Sequence, residues 1–211
     1  MPATEPHPVF ARLYPRMSRG AERNGAAEHR RRLLAGLEGR VIEVGAGNGL
    51  NFAHYPRSVT EVVAVEPSPY LRGLAVQAAS GAPVSIEVRD GTAEALPAQD
   101  GEFDAAVVSL VLCSVSDQQV ALREIARVLR AGGELRFYEH VVSNRPSTAR
   151  IQRALDATVY PPLAGGCHCA RDTGAAIRDA GFEVRSEERF AFKASRFAPA
   201  VAHILGAARR P

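Results

Sequence analysis

Two acidic residues on either side of a glycine-rich turn are the feature of this chain best suited to binding a ligand. The run VIEVGAGNG places Glu43 just before Gly45, Gly47 and Gly49, and Glu66 follows the next apolar run, VVAV. This pattern predicts a buried strand, a tight turn and a helix, because glycine adopts positive φ and lets a ligand approach the backbone. Together these features predict the nucleotide-binding half of a doubly wound α/β fold.

The spacing of the glycines distinguishes between two classes of ligand. A dinucleotide turn has the pattern G-x-G-x-x-G and faces a pyrophosphate, whereas the pattern here is G-x-G-x-G. A carboxylate at Glu43 would repel a pyrophosphate, but it would attract the ammonium and sulfonium groups of S-adenosylmethionine (SAM). Glu66 is placed to accept hydrogen bonds from both ribose hydroxyls. We therefore predict SAM as the cofactor, S-adenosylhomocysteine as its product, and methyl transfer as the reaction.

Further segments match one known family of enzymes. They are residues 43–49, 66–67, 91–97, 103–104 and 128–133. On these segments the chain resembles, over nearly its whole length, the small type 11 class I SAM-dependent methyltransferases. A closer resemblance, to a methyltransferase-like branch that includes animal alkyl-thiol methyltransferases, lies in residues 51–56, 110–115, 139–140, 166–167 and 199–206. The resemblance implies a small-molecule acceptor.

The 211 residues are enough for one α/β domain. We expect a seven-stranded, mostly parallel Rossmann-like sheet with helices on both faces and an antiparallel last strand. An N-terminal helical cap is expected at about 9–37, after an irregular segment at 1–8. A lid-like insertion is expected at about 143–172, with a loop at 160–162, because the strand–helix alternation breaks there. Two local predictions are a helix over 49–54, ended by Pro56, and a capping box over 116–119.

Ligands in such sheets bind at the carboxyl ends of the strands, which sets the expected cofactor site. The resemblance places Gly91, Thr92 and Ala93 beside the adenine, although relatives often carry Asp where this chain has Thr92. Apolar residues between 151 and 163 are expected to line a small acceptor pocket. The complete expected set for the cofactor is Glu43, Gly45, Ala46, Gly47, Asn48, Gly49, Glu66, Pro67, Gly91, Thr92, Ala93, Ser109 and Leu110.

Methyl transfer from a sulfonium is an in-line displacement, so the protein must mainly align the reactants and exclude water. A general base is needed only when the acceptor is a weak acid such as an alcohol. His140, at the end of the predicted fifth strand, is the candidate base. The alternative for His140 is a structural hydrogen bond at the strand end.

The three cysteines do not form a disulfide framework. The run of Cys167, His168 and Cys169 resembles a zinc-binding pair, but zinc sites need a second pair, and Cys113 is the only other thiol. We therefore expect no metal and a packing role for the cysteines.

Composition argues against several classes of partner. The net charge is +3, and Arg30, Arg31 and Arg32 form the densest basic run without interleaved aromatic residues, so no nucleic-acid partner is expected. No apolar stretch approaches the roughly 20 residues of a membrane span, and the N-terminus lacks a secretory apolar region. A cytoplasmic monomer or homodimer without membrane contact is the expectation.

Three functions keep the same cofactor site and remain open at this point. The first is methylation of a small thiol or other small apolar nucleophile. The second is O-, N- or C-methylation of a natural-product intermediate. The third is a non-catalytic SAM-binding sensor or scaffold.

Overall fold

Seven strands form one sheet in a computed structural model that describes residues 7–196 and 198–211. The strands are β1 (Gly39–Val44), β2 (Val59–Val65), β3 (Ser85–Arg89), β4 (Phe103–Ser109), β5 (Leu129–His140), β6 (Glu183–Phe192) and β7 (Val201–Arg209). Their order is β3-β2-β1-β4-β5-β7-β6, and β7 runs antiparallel to both of its neighbours. The predicted fold class, with its antiparallel last strand, is confirmed.

Helices cover the sheet. They are α1 (Pro8–Ala21), α2 (Ala27–Leu34), α3 (Pro69–Ala79), α4 (Gln118–Val128), α5 (Pro146–Asp156), α6 (Tyr160–Leu163) and α7 (Thr173–Asp179). The central strands β1, β2 and β4 are buried on both faces, as their continuous apolar sequences require. Two clusters of buried side chains form the core, one on each side of the sheet. No helix in the described part of the chain is both long and apolar enough to cross a bilayer.

Two helices near the N-terminus pack across the sheet edge that carries the candidate site. A five-residue turn, Glu22–Ala26, joins α1 to α2, and Gly25 gives it a sharp bend through a φ of 113°. The helices predicted within 9–37 are therefore present. Of the irregular segment expected at 1–8, residues 1–6 lie outside the described part of the chain, and Pro8 already begins α1.

Three local predictions from the sequence are wrong. The segment predicted as a helix over 49–54 forms only a 3-10 turn at Phe52–His54, because Gly49 takes a φ of 77° and Pro56 follows closely. The cap of α4 is Asp117, whose Oδ1 accepts the N–H groups of Gln119 and Val120, rather than Ser116. Residues 160–162, expected to be a loop, begin the short helix α6, since proline is well suited to a first helical turn.

Candidate active site

Three neighbouring parallel strands bring the predicted polar residues to one edge of the sheet. β1 lies between β2 and β4, and Glu43 is in register with Ala64 on one side and Val107 on the other. Glu43 is one residue before the end of β1, Glu66 follows β2, and Ser109 ends β4. All three are buried. The strand order alone therefore collects them at the carboxyl edge.

The glycine turn after β1 is held against the end of β2 by backbone hydrogen bonds. The N–H groups of Gly45 and Ala46 both donate to the carbonyl oxygen of Val65, at 2.8 and 3.0 Å. Gly45 has a φ of 70°, and a Cβ there would lie 2.5 Å from the Val111 side chain. Only glycine allows this close approach between the turn and the loop that follows β4.

The carboxylate of Glu66 holds the glycine turn in place through hydrogen bonds to the backbone. One carboxylate oxygen accepts the Gly47 N–H at 2.7 Å, and the other accepts the Ser68 N–H at 2.9 Å. These two backbone hydrogen bonds fix the position of the carboxylate before a ligand binds.

Glu43 lies deeper and is bonded to two side chains that sequence reasoning did not assign. Asn51 Nδ2 donates to Glu43 Oε1 at 2.9 Å, and the Tyr55 hydroxyl donates to Oε2 at 2.7 Å. Burial raises the pKa of Glu43 to about 7, although both hydrogen bonds act in the opposite direction. Glu43 is therefore tied to the segment after the glycine turn, which carries Asn51 and Tyr55.

Arg30 is the buried cation of this edge, and sequence reasoning missed it. Its Nη1 donates to Asn51 Oδ1 at 2.9 Å and to Ser109 Oγ at 3.1 Å, and its Nε pairs with Glu22 at 2.8 Å. Arg30 belongs to the densest basic run of the sequence, but it precedes Leu33 and Leu34 by three and four residues. That helical spacing puts it on the buried face of α2 and was the available signal.

The N-terminal helix lies over the glycine turn. The Tyr14 ring is 3.3 Å from the position that a Cβ on Gly47 would occupy. Tyr14 also packs against Phe10 with ring centroids 5.6 Å apart, and Phe10 in turn contacts Gly165. α1 therefore contacts both the glycine turn and the segment after α6.

The segment expected beside the adenine follows β3, which lies next to β2 in the sheet. Gly91 packs tightly, since a Cβ there would lie 2.8 Å from Pro97 and 3.0 Å from Val65. Ala93 is buried, whereas Thr92 is exposed and forms a short bridge with Ala95.

Pro67 belongs to the same corner of the site. Arg72 Nη1 donates to the carbonyl oxygens of Glu66 and Pro67 and to Asp90 Oδ1 at 2.8, 3.1 and 2.9 Å. The loops after β2 and β3 are thereby joined on either side of the expected adenine position.

The loop after β4 is shaped by Glu139, which was assigned no role in the site from the sequence. Its carboxylate accepts the N–H groups of Val111, Leu112 and Cys113 at 2.9, 3.1 and 3.2 Å. Leu110 takes a φ of 61°, a strained value for a non-glycine residue. Burial raises the pKa of Glu139 to about 7, against the effect of these three hydrogen bonds.

His140 ends β5 and faces away from Glu139, as strand alternation requires. Its Nδ1 lies 3.4 Å from the sulfur of Cys167. Its ring packs edge-on against the ring of His203, with the ring centroids 4.4 Å apart. The hydrogen bond with the Cys113 thiol lowers the pKa of Cys167 to about 5, and His140 acts in the same direction.

The expected apolar lining of the acceptor pocket is wrong for five residues. The residues exposed to solvent are Ile151, Leu155, Val159, Pro162 and Leu163, with Leu163 at 78%. On α5, Ile151 and Leu155 lie on the solvent side, because buried Gln152 and half-buried Asp156 take the inner face of that helix.

Comparisons with known proteins agree with this geometry. A family model described as a methyltransferase domain matches residues 42–137. The chain is 36% identical to thiol S-methyltransferase TMT1B of Mus musculus over 183 residues, which are 83% of this chain and 73% of that protein. It is 31% identical to the ubiquinone/menaquinone biosynthesis C-methyltransferase UbiE of Syntrophotalea carbinolica over 175 residues, 78% of this chain and 73% of that one. The chain belongs to the SAM-dependent methyltransferase family.

Solved structures show the same fold. A SAM-dependent methyltransferase of Thermotoga maritima, described as a possible histamine N-methyltransferase, superposes on 98% of this chain and 100% of its own, with a TM-score of 0.70 and 22% identity. SAM is the cofactor of the present protein, as its sequence predicted.

The residues present fit a cationic amino-acid ligand. Asn48 Oδ1 is buried, and it has no hydrogen-bond partner among the residues that the structure describes. A buried carbonyl oxygen in this state is costly unless a donor reaches it. An ammonium group beside the glycine turn would supply that donor. Glu66 would accept hydrogen bonds from the ribose hydroxyls.

The raised pKa of Glu43 predicts a pH-dependent stability. A carboxyl group with a folded pKa of about 7 and an ordinary value of 4.5 stabilises the fold below pH 4.5 and loses that contribution as the pH rises towards 7. The free energy of unfolding of the wild type, minus that of Glu43→Gln, should therefore fall between about pH 5 and pH 8. Denaturant unfolding at several pH values measures this difference.

Glu87→Gln is the matched control. Glu87 is exposed, and the hydrogen bond from Arg89 lowers its pKa, so its contribution is lost only on acidification below the ordinary value. The same difference for Glu87 should stay constant over that range. A flat difference for Glu43 would contradict the assignment of a raised pKa to this carboxyl group.

Proposed function

We propose that this methyltransferase transfers the SAM methyl group to the sulfur of a small thiol. The observation that carries the proposal is the 36% identity to a protein named thiol S-methyltransferase, over 83% of the chain. A second thiol S-methyltransferase, TMT1A of Homo sapiens, is 32% identical over 154 residues. The polar residues around the glycine turn bind the cofactor. The ends of β4 and β5 and the segment after α6 therefore determine which acceptor is bound.

We assign the cofactor contacts as follows. Glu66 accepts the ribose hydroxyls, Asn48 Oδ1 accepts from the ammonium group, and Glu43 orients Asn51 and Tyr55 beneath it. The loop 91–93 borders the adenine. The other residues that we assign to the cofactor site line it. They are Gly45, Ala46, Gly47, Gly49, Pro67, Ser109 and Leu110.

The bound SAM supplies an already activated methyl group, so the protein's task is alignment and exclusion of water. Aligned reactants supply roughly 7–11 kcal/mol of a barrier of this kind. The Glu139 carboxylate fixes the backbone of Val111, Leu112 and Cys113, and Val111 packs on Gly45. This rigid wall joins the cofactor turn to the acceptor side.

A thiol has a pKa of about 8.5 and is partly ionised at neutral pH, so it needs little help from a base. We propose His140 as the general base for acceptors that are weaker acids. Its support is its position at the end of β5, on the acceptor side of the loop that Glu139 fixes.

We also propose a cytoplasmic location and a monomeric or homodimeric state. The close approach of Cys113 and Cys167, both buried and free, suits a reducing compartment.

Carbon methylation is the second candidate, favoured by the 31% identity to a protein named as a C-methyltransferase over 175 residues. It differs from the first in needing an acceptor whose carbon is nucleophilic.

An acceptor panel tests the proposal. Purified protein with SAM should release S-adenosylhomocysteine with small apolar thiols at least about tenfold faster than with matched alcohols, because the thiolate population is larger. Product release is measured by coupled assay or mass spectrometry. SAM binding without turnover of any thiol would contradict thiol methylation, and turnover of quinols alone would favour the second candidate.

The base assignment predicts a selective defect. His140→Ala should lower the rate with alcohols and phenols by about 10²-fold or more and the rate with thiols much less, since general-base catalysis contributes roughly 10²–10⁴-fold. Rates for both acceptor classes are compared in the wild type, His140→Ala and the surface control His168→Ala. An equal loss for both classes would remove His140 as the base.

A further inference from the structure

Two thiols and an imidazole from separate parts of the chain meet beside the acceptor side of the site. Cys113 lies in the loop after β4, His140 ends β5, and Cys167 lies between α6 and α7. One sulfur or ring nitrogen from each lies within 4.8 Å of the others. The two cysteines are 1% and 8% exposed, and His140 is half-buried.

We propose that Cys113, His140 and Cys167 form a binding site for a single thiophilic divalent cation, with Zn²⁺ as the best fit. Two sulfurs and one imidazole are a ligand set that zinc uses in sites with three protein ligands and an open fourth position. Thiolate ligands select against Mg²⁺ and Ca²⁺, which require oxygen.

The spacing suits coordination with little movement. With Zn–S of about 2.3 Å and Zn–N of about 2.0–2.1 Å, the ligand atoms of a tetrahedral site lie about 3.5–3.8 Å apart. His140 Nδ1 and Cys167 Sγ are already 3.4 Å apart. The 4.8 Å limit on the remaining separations leaves shifts of about 1 Å, within reach of side-chain rotation.

The surrounding structure holds the ligands in place. The Cys113 N–H donates to Glu139, and the Cys113 carbonyl oxygen accepts the His168 N–H at 2.7 Å, which ties the two cysteine loops together. The His203 ring meets the His140 ring edge-on at 4.4 Å and limits its rotation. Such support of ligand orientation is characteristic of metal sites.

The proposal departs from the expectation of no metal drawn from the sequence. That expectation weighed the Cys-His-Cys run and Cys113 but not His140, and the other two members of the run, His168 and Cys169, contact Asp156 instead. Cys169 Sγ lies 3.1 Å from Asp156 Oδ1, and His168 Nδ1 lies 3.8 Å from Asp156 Oδ2. The missing ligands come from Cys113 and His140, which no short motif connects to Cys167.

The site bears on the base role of His140. A nitrogen lone pair that binds a metal cannot accept a proton, so the base role proposed above belongs to the metal-free protein. The metal site itself stands on the cluster geometry alone, and its test reads metal binding rather than turnover.

The experiment loads the full-length protein with Zn²⁺ or Co²⁺ under reducing conditions, removes excess metal, and measures metal content by mass spectrometry and Co²⁺ absorption. We expect one metal per chain and the intense visible bands of tetrahedral, thiolate-bound Co²⁺. Cys167→Ser and His140→Ala each remove a direct ligand and should lower affinity at least about tenfold, since loss of an outer-shell partner alone costs roughly 10–100-fold.

Cys169→Ser is the matched control, because Cys169 is a buried thiol two residues from Cys167 and bonds Asp156 instead. It should retain full metal content and the same spectrum. Equal loss in Cys169→Ser and Cys167→Ser, a weak octahedral Co²⁺ spectrum, or failure of the fully reduced protein to retain metal would each overturn the proposal. Circular dichroism of every variant checks folding, and His140→Ala keeps the test valid if a cysteine variant does not fold.

Discussion

The carboxylate of Glu66 accepts hydrogen bonds from the backbone N–H groups of Gly47 and Ser68, and the cofactor side of the molecule depends on this interaction. It joins the turn after β1 to the loop after β2, so the two loops behave as one rigid edge. The Gly45 and Ala46 N–H groups reinforce the joint by sharing the Val65 carbonyl oxygen. A ligand that meets this edge finds donors and acceptors already oriented, which reduces the entropy that binding costs.

Buried charge around this edge is balanced by a network that spans distant segments. Arg30 from α2 bonds Asn51 and Ser109 and pairs with Glu22, while Asn51 also bonds Glu43. An unpaired buried charge would be severely destabilising, so each member depends on the others. The N-terminal helices therefore belong to the buried polar network around Glu43 as well as covering the sheet.

Much of the fold and part of the site could be predicted from the sequence, because local patterns determine them. The buried strand, the glycine turn and the two acids lie within residues 39–66, and the apolar runs predicted most of the strands. The helix after the turn was predicted wrongly, since a general pattern for this fold was preferred to the local effects of Gly49 and Pro56. Likewise Asp117, rather than Ser116, caps α4, a difference of one residue that pattern reasoning does not resolve.

What the sequence did not reveal arises from contacts between residues far apart in the chain. Glu139 supports a loop 26 to 28 residues earlier, and Cys113 meets Cys167 across 54 positions, through the pairing of β4 with β5. Those contacts form only when the strand order is fixed. The outward-facing apolar residues of α5 and α6 show the same limit, because composition alone does not indicate which side of a helix faces the protein.

The affinity of Glu66→Ala for SAM, measured by isothermal titration calorimetry, tests the central claim most directly. Loss of two charge-assisted hydrogen bonds to the ribose, at about 1.5–3 kcal/mol each, should weaken binding roughly a hundredfold or more. Glu28→Gln, on the exposed face of α2, should bind as the wild type does. A dissociation constant for folded Glu66→Ala equal to that of the wild type would contradict the account.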